Sequence, residues 1–154
     1  MCNLQYADNS FDIIWAEGAI YIIGFKKGLK EWERILKPSG IISVTELSWI
    51  ADDIPKKISE FWSLEYKEMQ SVEENINTAN VCGYHVESHF TLPKSAWFDD
   101  YYAPLEIRIN ELKVKYEDNE EAQKVLNNEL KEIVMYKQYS AYYGYEFYVL
   151  RSTK

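Results

Sequence analysis

Apolar residues follow two rhythms along this chain, and the change from one to the other marks out its elements. The stretch SFDIIWAE, after a turn-like Ala7-Asp8-Asn9-Ser10, is an apolar run, so Phe11–Trp15 is expected to be a central strand buried on both faces. After Gly24, residues Phe25, Leu29, Trp32 and Leu36 recur at helical spacing, while Lys26, Lys27, Lys30, Glu33 and Arg34 fall mostly elsewhere on the wheel. That pattern predicts a surface helix with one buried face. Pro38 and Gly40 are expected to end it, and IISVTE reads as a second buried strand. Strand, helix and strand with short connections form a βαβ unit, in which the two strands run parallel.

The helical rhythm returns from Asp52, with Ile58, Phe61, Trp62, Leu64 and Tyr66 in one segment and Val72, Ile76 and Ala79 in a second that stops at Cys82-Gly83. SVEEN, residues 71–75, reads as the start of that second helix, because acids in a first turn favour the positive end of the helix dipole. YHVESHFTLP alternates at period two and is expected to be a strand with His85, Glu87 and His89 on one wetter face. Two further helices are predicted, Trp97 to about Tyr116 and Asn119 to about Tyr142, before YEFYVLRST closes the chain as a strand. The expectation is an α/β fold in one domain, residues 1–154, with a short mixed sheet of about four strands and covering helices.

Composition narrows the classes. With 154 residues, 47% of them hydrophobic and 27% charged, the chain suits a compact domain with a real core. A net charge of -8 without a basic stripe argues against nucleic-acid binding. Cys2 and Cys82 lie too far apart in sequence to suggest a disulfide framework or a zinc knuckle. There is no apolar run of about 18 to 20 residues and no basic-then-apolar leader pattern. A soluble, cytoplasmic protein is expected.

The segment EWERILKPSGIISVTE, Glu31–Glu46, carries the sharper signal. Its RILKPSG resembles the arginine-valine-leucine-lysine-proline-glycine-glycine signature of class I S-adenosylmethionine-dependent methyltransferases of the ubiquinone/menaquinone-biosynthesis-like type. The upstream NLQYADNSFDIIWAEGAIYIIG is similar to the same family's leucine-proline-phenylalanine segment, acidic turn, strand and post-strand loop, with Gln5 and Ser39 departing from the usual proline and glycine. The resemblance implies a partial Rossmann-like methyltransferase domain. It would be the C-terminal portion, lacking the strand and glycine-rich loop that contact the cofactor. It also implies that the strand Phe11–Trp15 would form an exposed edge, a template for homodimer formation.

Methyl transfer to a small-molecule acceptor is an in-line displacement at a sulfonium, so the protein supplies orientation, water exclusion and a field that suits positive charge. In open α/β sheets ligands gather at the carboxyl ends of the strands, which directs attention to AEGAIYI after the first strand. Ala16, Glu17, Gly18 and Tyr21 are the expected contacts for S-adenosylmethionine, and the resemblance adds Asn3 and Leu4. Glu17 is the candidate catalytic residue, as counter-charge to the sulfonium, ligand for the cofactor's amino group, or base toward the acceptor. Tyr21, Glu46, Trp49, Trp97 and Tyr101 are candidates for the acceptor pocket, the last two as a lid. Each has a plainer alternative as a loop acid, a strand-end cap or packing. No metal site is expected: His85, Glu87 and His89 are ligand types, but alternating polar residues more often mark a wet strand face. Rival readings are a non-catalytic remnant or partner subunit that self-associates, and a dehydrogenase-like nucleotide domain, which would need a phosphate loop that is absent here.

Overall fold

The computed structural model describes residues 4–154. Its chain falls into two compact units, one made of residues 4–91 with Tyr142–Lys154 and the other of Leu92–Ala141.

The first unit is an α/β layer. Strand β1 (Phe11–Ala16) is followed by a 3-10 turn (Ile20–Ile22), helix α1 (Phe25–Glu33), strand β2 (Leu36–Trp49), helix α2 (Lys56–Glu65), the short strand β3 (Gln70–Ser71), helix α3 (Val72–Val81) and strand β4 (Tyr84–Thr91). Strand β5 (Tyr143–Ser152) completes it. The order in the sheet is β1-β2-β5-β4, with β3 paired to the far end of β2. β1 and β2 are parallel, as a βαβ unit requires, while β5 runs antiparallel to both β2 and β4. The mixed sheet with covering helices is therefore present, with five strands where about four were expected.

One sheet face makes the core. Ile42 and Val44 of β2, with Tyr148 and Leu150 of β5, pack against Ile20, Phe25, Leu29, Trp32, Ala79 and Tyr84. Helix α1 buries Phe25, Gly28, Leu29 and Trp32, the face its spacing predicts. Helix α3 begins at SVEEN as expected, and there with a capping box: Ser71 Oγ accepts from the Glu74 amide and the Glu74 carboxylate accepts from the Ser71 amide.

Four local expectations are corrected. β1 is not buried on both faces: it lies at the sheet edge among the described residues, with Ile13 57% and Trp15 65% exposed. β2 starts at Leu36, before the Pro38-Ser39-Gly40 turn, because Ser10 and Phe11 already donate their amides to the Ile35 carbonyl. The turn becomes a bulge: the register jumps from Phe11–Leu36 to Ile13–Ile41, and Ser39 takes a positive φ of 58°. Gly40 is required there, since a Cβ would come within 2.7 Å of the Leu36 side chain. Leu64, expected on the buried stripe of its helix, faces solvent. Finally, a register shift between Val86 and Ser88 breaks the alternation of β4, so His85, Glu87 and His89 do not share one face.

The second unit is helical. α4 (Lys94–Trp97), a π-helical turn (Phe98–Tyr102) and α5 (Ala103–Lys115) run on continuously, and α6 (Glu120–Tyr139) is capped by Asn119, whose side chain accepts from the Ala122 amide. Trp97, Tyr102 and Tyr136 form an aromatic cluster with ring centroids 4.7 to 5.7 Å apart.

Candidate functional site

β1 ends at Ala16, opposite Val44, and β2 runs on beyond it to Trp49. The chain leaves β1 through Glu17 and Gly18, and Gly18 adopts a φ of 55°, a left-handed conformation that suits glycine. This turn is held to the neighbouring strand, because the Gly18 amide donates to Thr45 Oγ1 at 2.7 Å. Trp15 Nε1 donates to Glu17 Oε1 at 2.6 Å, so an exposed carboxylate is fixed at the carboxyl end of the parallel pair. Thr45 escaped the sequence reading, because only strand register shows what a mid-strand threonine reaches.

From the same loop, the Tyr21 ring meets Tyr66 edge-on at 6.0 Å, and the Tyr66 hydroxyl donates to Glu46 Oε1 at 2.6 Å. Glu46 is only 1% exposed, and its Oε2 is buried without a hydrogen-bond partner. Burial pushes its carboxyl up to about 8; the Tyr66 hydrogen bond pulls the other way, and the nearby Glu68 charge adds to the rise. Burial and the Glu46 charge in turn raise the Tyr66 phenol far above its ordinary range. Directly across the sheet from Glu46 stands Glu146, also buried, satisfied by His89 Nδ1 at 2.6 Å and by the Thr91 hydroxyl at 2.6 Å. Asn75 donates to Ser48 Oγ at 3.0 Å close by. A polar seam thus crosses a face that is otherwise apolar core, assembled from strands β2, β4 and β5, helix α3 and Tyr66 just after α2.

Among the expected site residues, Ala16, Glu17, Gly18, Tyr21 and Glu46 gather at this end of β1 and β2. Leu4 packs partly against the core, and its carbonyl accepts from Arg34 at 2.9 Å; Arg34 also binds the Tyr6 carbonyl and Asp8, fastening the segment before β1. Asn3 lies outside the described residues. Trp49 belongs to an aromatic group with Tyr143 and Trp62 at the end of β2. Trp97 and Tyr101 belong to the helical unit, where Trp97 stacks on Tyr102 and Tyr101 is exposed. Among the described residues no group of three or more His, Cys, Asp or Glu side chains is placed to hold a metal.

Residues 1–44 match the profile of the methyltransferase domain family. A demethylmenaquinone methyltransferase of Corynebacterium urealyticum is 31% identical over 111 residues, covering 70% of this chain and 45% of that protein. The fold matches a SAM-dependent methyltransferase from Geobacter sulfurreducens in complex with S-adenosyl-L-homocysteine at a TM-score of 0.74, with 19% identity over 96% of this chain and 60% of that one. It also matches phosphoethanolamine N-methyltransferase 2 of Haemonchus contortus in complex with S-adenosyl-L-methionine, at a TM-score of 0.70 and 19% identity over 97% of this chain and 35% of that one. The chain spans about half the length of the curated relative it matches. With the signature in its first strands and the sheet order around them, it belongs to the class I S-adenosylmethionine-dependent methyltransferase family, of which it carries a part of the domain.

Proposed function

We propose that this chain forms the acceptor-side part of a methyltransferase that uses S-adenosylmethionine to methylate a small molecule in the cytoplasm. The observation that carries this reading is the Glu17-Gly18 turn at the carboxyl end of β1, locked by Thr45 of the adjacent parallel strand β2. The cofactor, when bound, supplies an activated methyl group on a cationic sulfur. Glu17 fits the cationic end of that molecule: its carboxylate is exposed and oriented by Trp15 Nε1. Among the described residues no glycine-rich turn follows a strand, so the fit covers only one end of the cofactor.

In this scheme Ala16 and Gly18 give the backbone approach, and the Tyr21 ring offers a face toward positive charge. Glu46, held by Tyr66, stands behind Tyr21 as the acid end of the acceptor pocket, and Trp49 adds apolar wall. A free, buried Cys82 thiol agrees with a reducing compartment.

Calorimetric titration with S-adenosylhomocysteine tests the reading. Micromolar binding that weakens about tenfold or more in Glu17→Ala supports it; an absence of heat from the isolated chain removes cofactor binding by this chain alone.

The exposed β1 edge favours a second reading, in which the chain self-associates through that strand, as a partner subunit or a non-catalytic remnant. A monodisperse monomer in light scattering at high concentration would remove it.

A further inference from the structure

Helix α1 carries Lys26, Lys27 and Lys30 on its exposed side, and Lys67 approaches from the loop before β3. Together with Phe25, Glu31, Glu68, Met69 and Gln70 these four lysines line a cavity of about 580 Å3. Placing them there works against the helix. Lys26 and Lys27 sit in the first turn, at the positive end of the dipole, and Lys26 and Lys30 are a like-charge pair one turn apart. Helices α3 and α6 do the opposite, with Glu73 and Glu74, or Glu120 and Glu121, in their first turns and a side-chain cap before them. α1 has neither an acid in its first turn nor a side-chain cap.

Little within the fold offsets this charge. Lys27 reaches Glu31 only at 3.9 Å, and Lys26, Lys30 and Lys67 form no ion pair among the described residues. The one carboxylate against the helix start is that of Glu68, which lies in contact distance of any side chain added at Gly24. In a chain of net charge -8, a concave site with four lysines against two acids is a local inversion without a structural return.

We propose that this cavity binds the phosphate group of a small, soluble phosphorylated ligand. Lysines act as point charges suited to a multi-oxygen anion, and no arginine fork for a planar carboxylate lines the wall. The volume suits a small molecule and not the plane of a bilayer. Glu68 is then a built-in competitor for the anion. The proposal does not depend on methyl transfer or on cofactor binding.

Pyrophosphate is the probe, titrated calorimetrically into the whole chain at low ionic strength. Saturable binding is expected, weakened roughly threefold to tenfold by Lys30→Ala and by Lys67→Ala, tightened by Glu68→Gln, and unchanged by Lys94→Ala in the helical unit. Non-saturable heat, or binding indifferent to the Lys30, Lys67 and Glu68 variants, overturns the proposal. So does co-sedimentation with phosphatidate vesicles in the absence of pyrophosphate binding, which would assign the lysines to a membrane surface.

Discussion

Glu46 gathers the opposing forces of this protein in one side chain. Its acid character is plain in the sequence, but it lies within β2, which runs on to Trp49, and not at the strand end expected of it; its burial, its Tyr66 partner and its cross-strand neighbour Glu146 come from elements distant along the chain. Because the folded state holds its carboxyl at about 8 against an ordinary value of 4.5, the folded protein binds more protons than the unfolded chain between these values. Stability contributed at this site is therefore fully present below pH 4.5 and declines as pH rises toward 8. Glu46→Gln, which removes the charge and keeps an acceptor for Tyr66, is expected to flatten that slope. Thermal melts should show the variant more stable than the parent at pH 8, by up to a few kcal/mol, and nearly equal to it at about pH 4. Equal melting differences at both pH values would refute the assignment. Tyr66→Phe acts in the other direction: it strips the donor from a buried oxygen and should cost about 1–3 kcal/mol in chemical denaturation. Glu17 was legible as a candidate because it directly follows an apolar strand. Thr45 and Tyr66, which complete its surroundings, were not, since neither carries a motif and each is selected by what lies across from it.

At the level of elements, local chemistry did most of the work where the signal is local. The SVEEN segment begins a capped helix, the Phe25-Leu29-Trp32 stripe buries itself, and the order strand, helix, strand yields parallel pairing. Ser71→Ala should consequently cost roughly 1 kcal/mol of stability, measured by urea denaturation, by removing the cap of α3. Where neighbouring strands decide, periodicity misled. Pro38-Ser39-Gly40 looked like a terminator, yet the chain on both sides of it pairs with β1, so the turn is absorbed as a bulge. Gly40→Ala is expected to destabilise the fold by about 1–3 kcal/mol, because its methyl group would meet the Leu36 side chain. In β4, the shift after Val86 turns His89 toward Glu146 and Tyr148, and leaves Glu87 on the other side to pair with Arg151. An alternation count cannot see such a shift, since the extra residue is silent in the pattern itself.

For the whole molecule, the consequential features are where apolar surface and charge remain uncompensated. β1 presents Ile13 and Trp15 to solvent on a strand that, among the described residues, is paired on one side only, an arrangement that favours association with another strand. Ile13→Lys leaves the Trp15–Glu17 hydrogen bond untouched and should weaken any self-association seen by sedimentation velocity, because an edge lysine opposes strand pairing. No helix among the described residues is long and apolar enough to cross a membrane. The amino-acid sequence by itself determined the kinds of element, their order and the family signature in residues 1–44, because these depend on residues a few positions apart and on the backbone preferences of proline and glycine. Only the tertiary structure decided which face of each strand is buried, that Glu46 meets Glu146 and Tyr66, and that Lys67 joins the lysines of α1 around one cavity. Those pairings follow from cross-strand register and from burial free energy summed over distant segments, quantities that no local window of sequence contains.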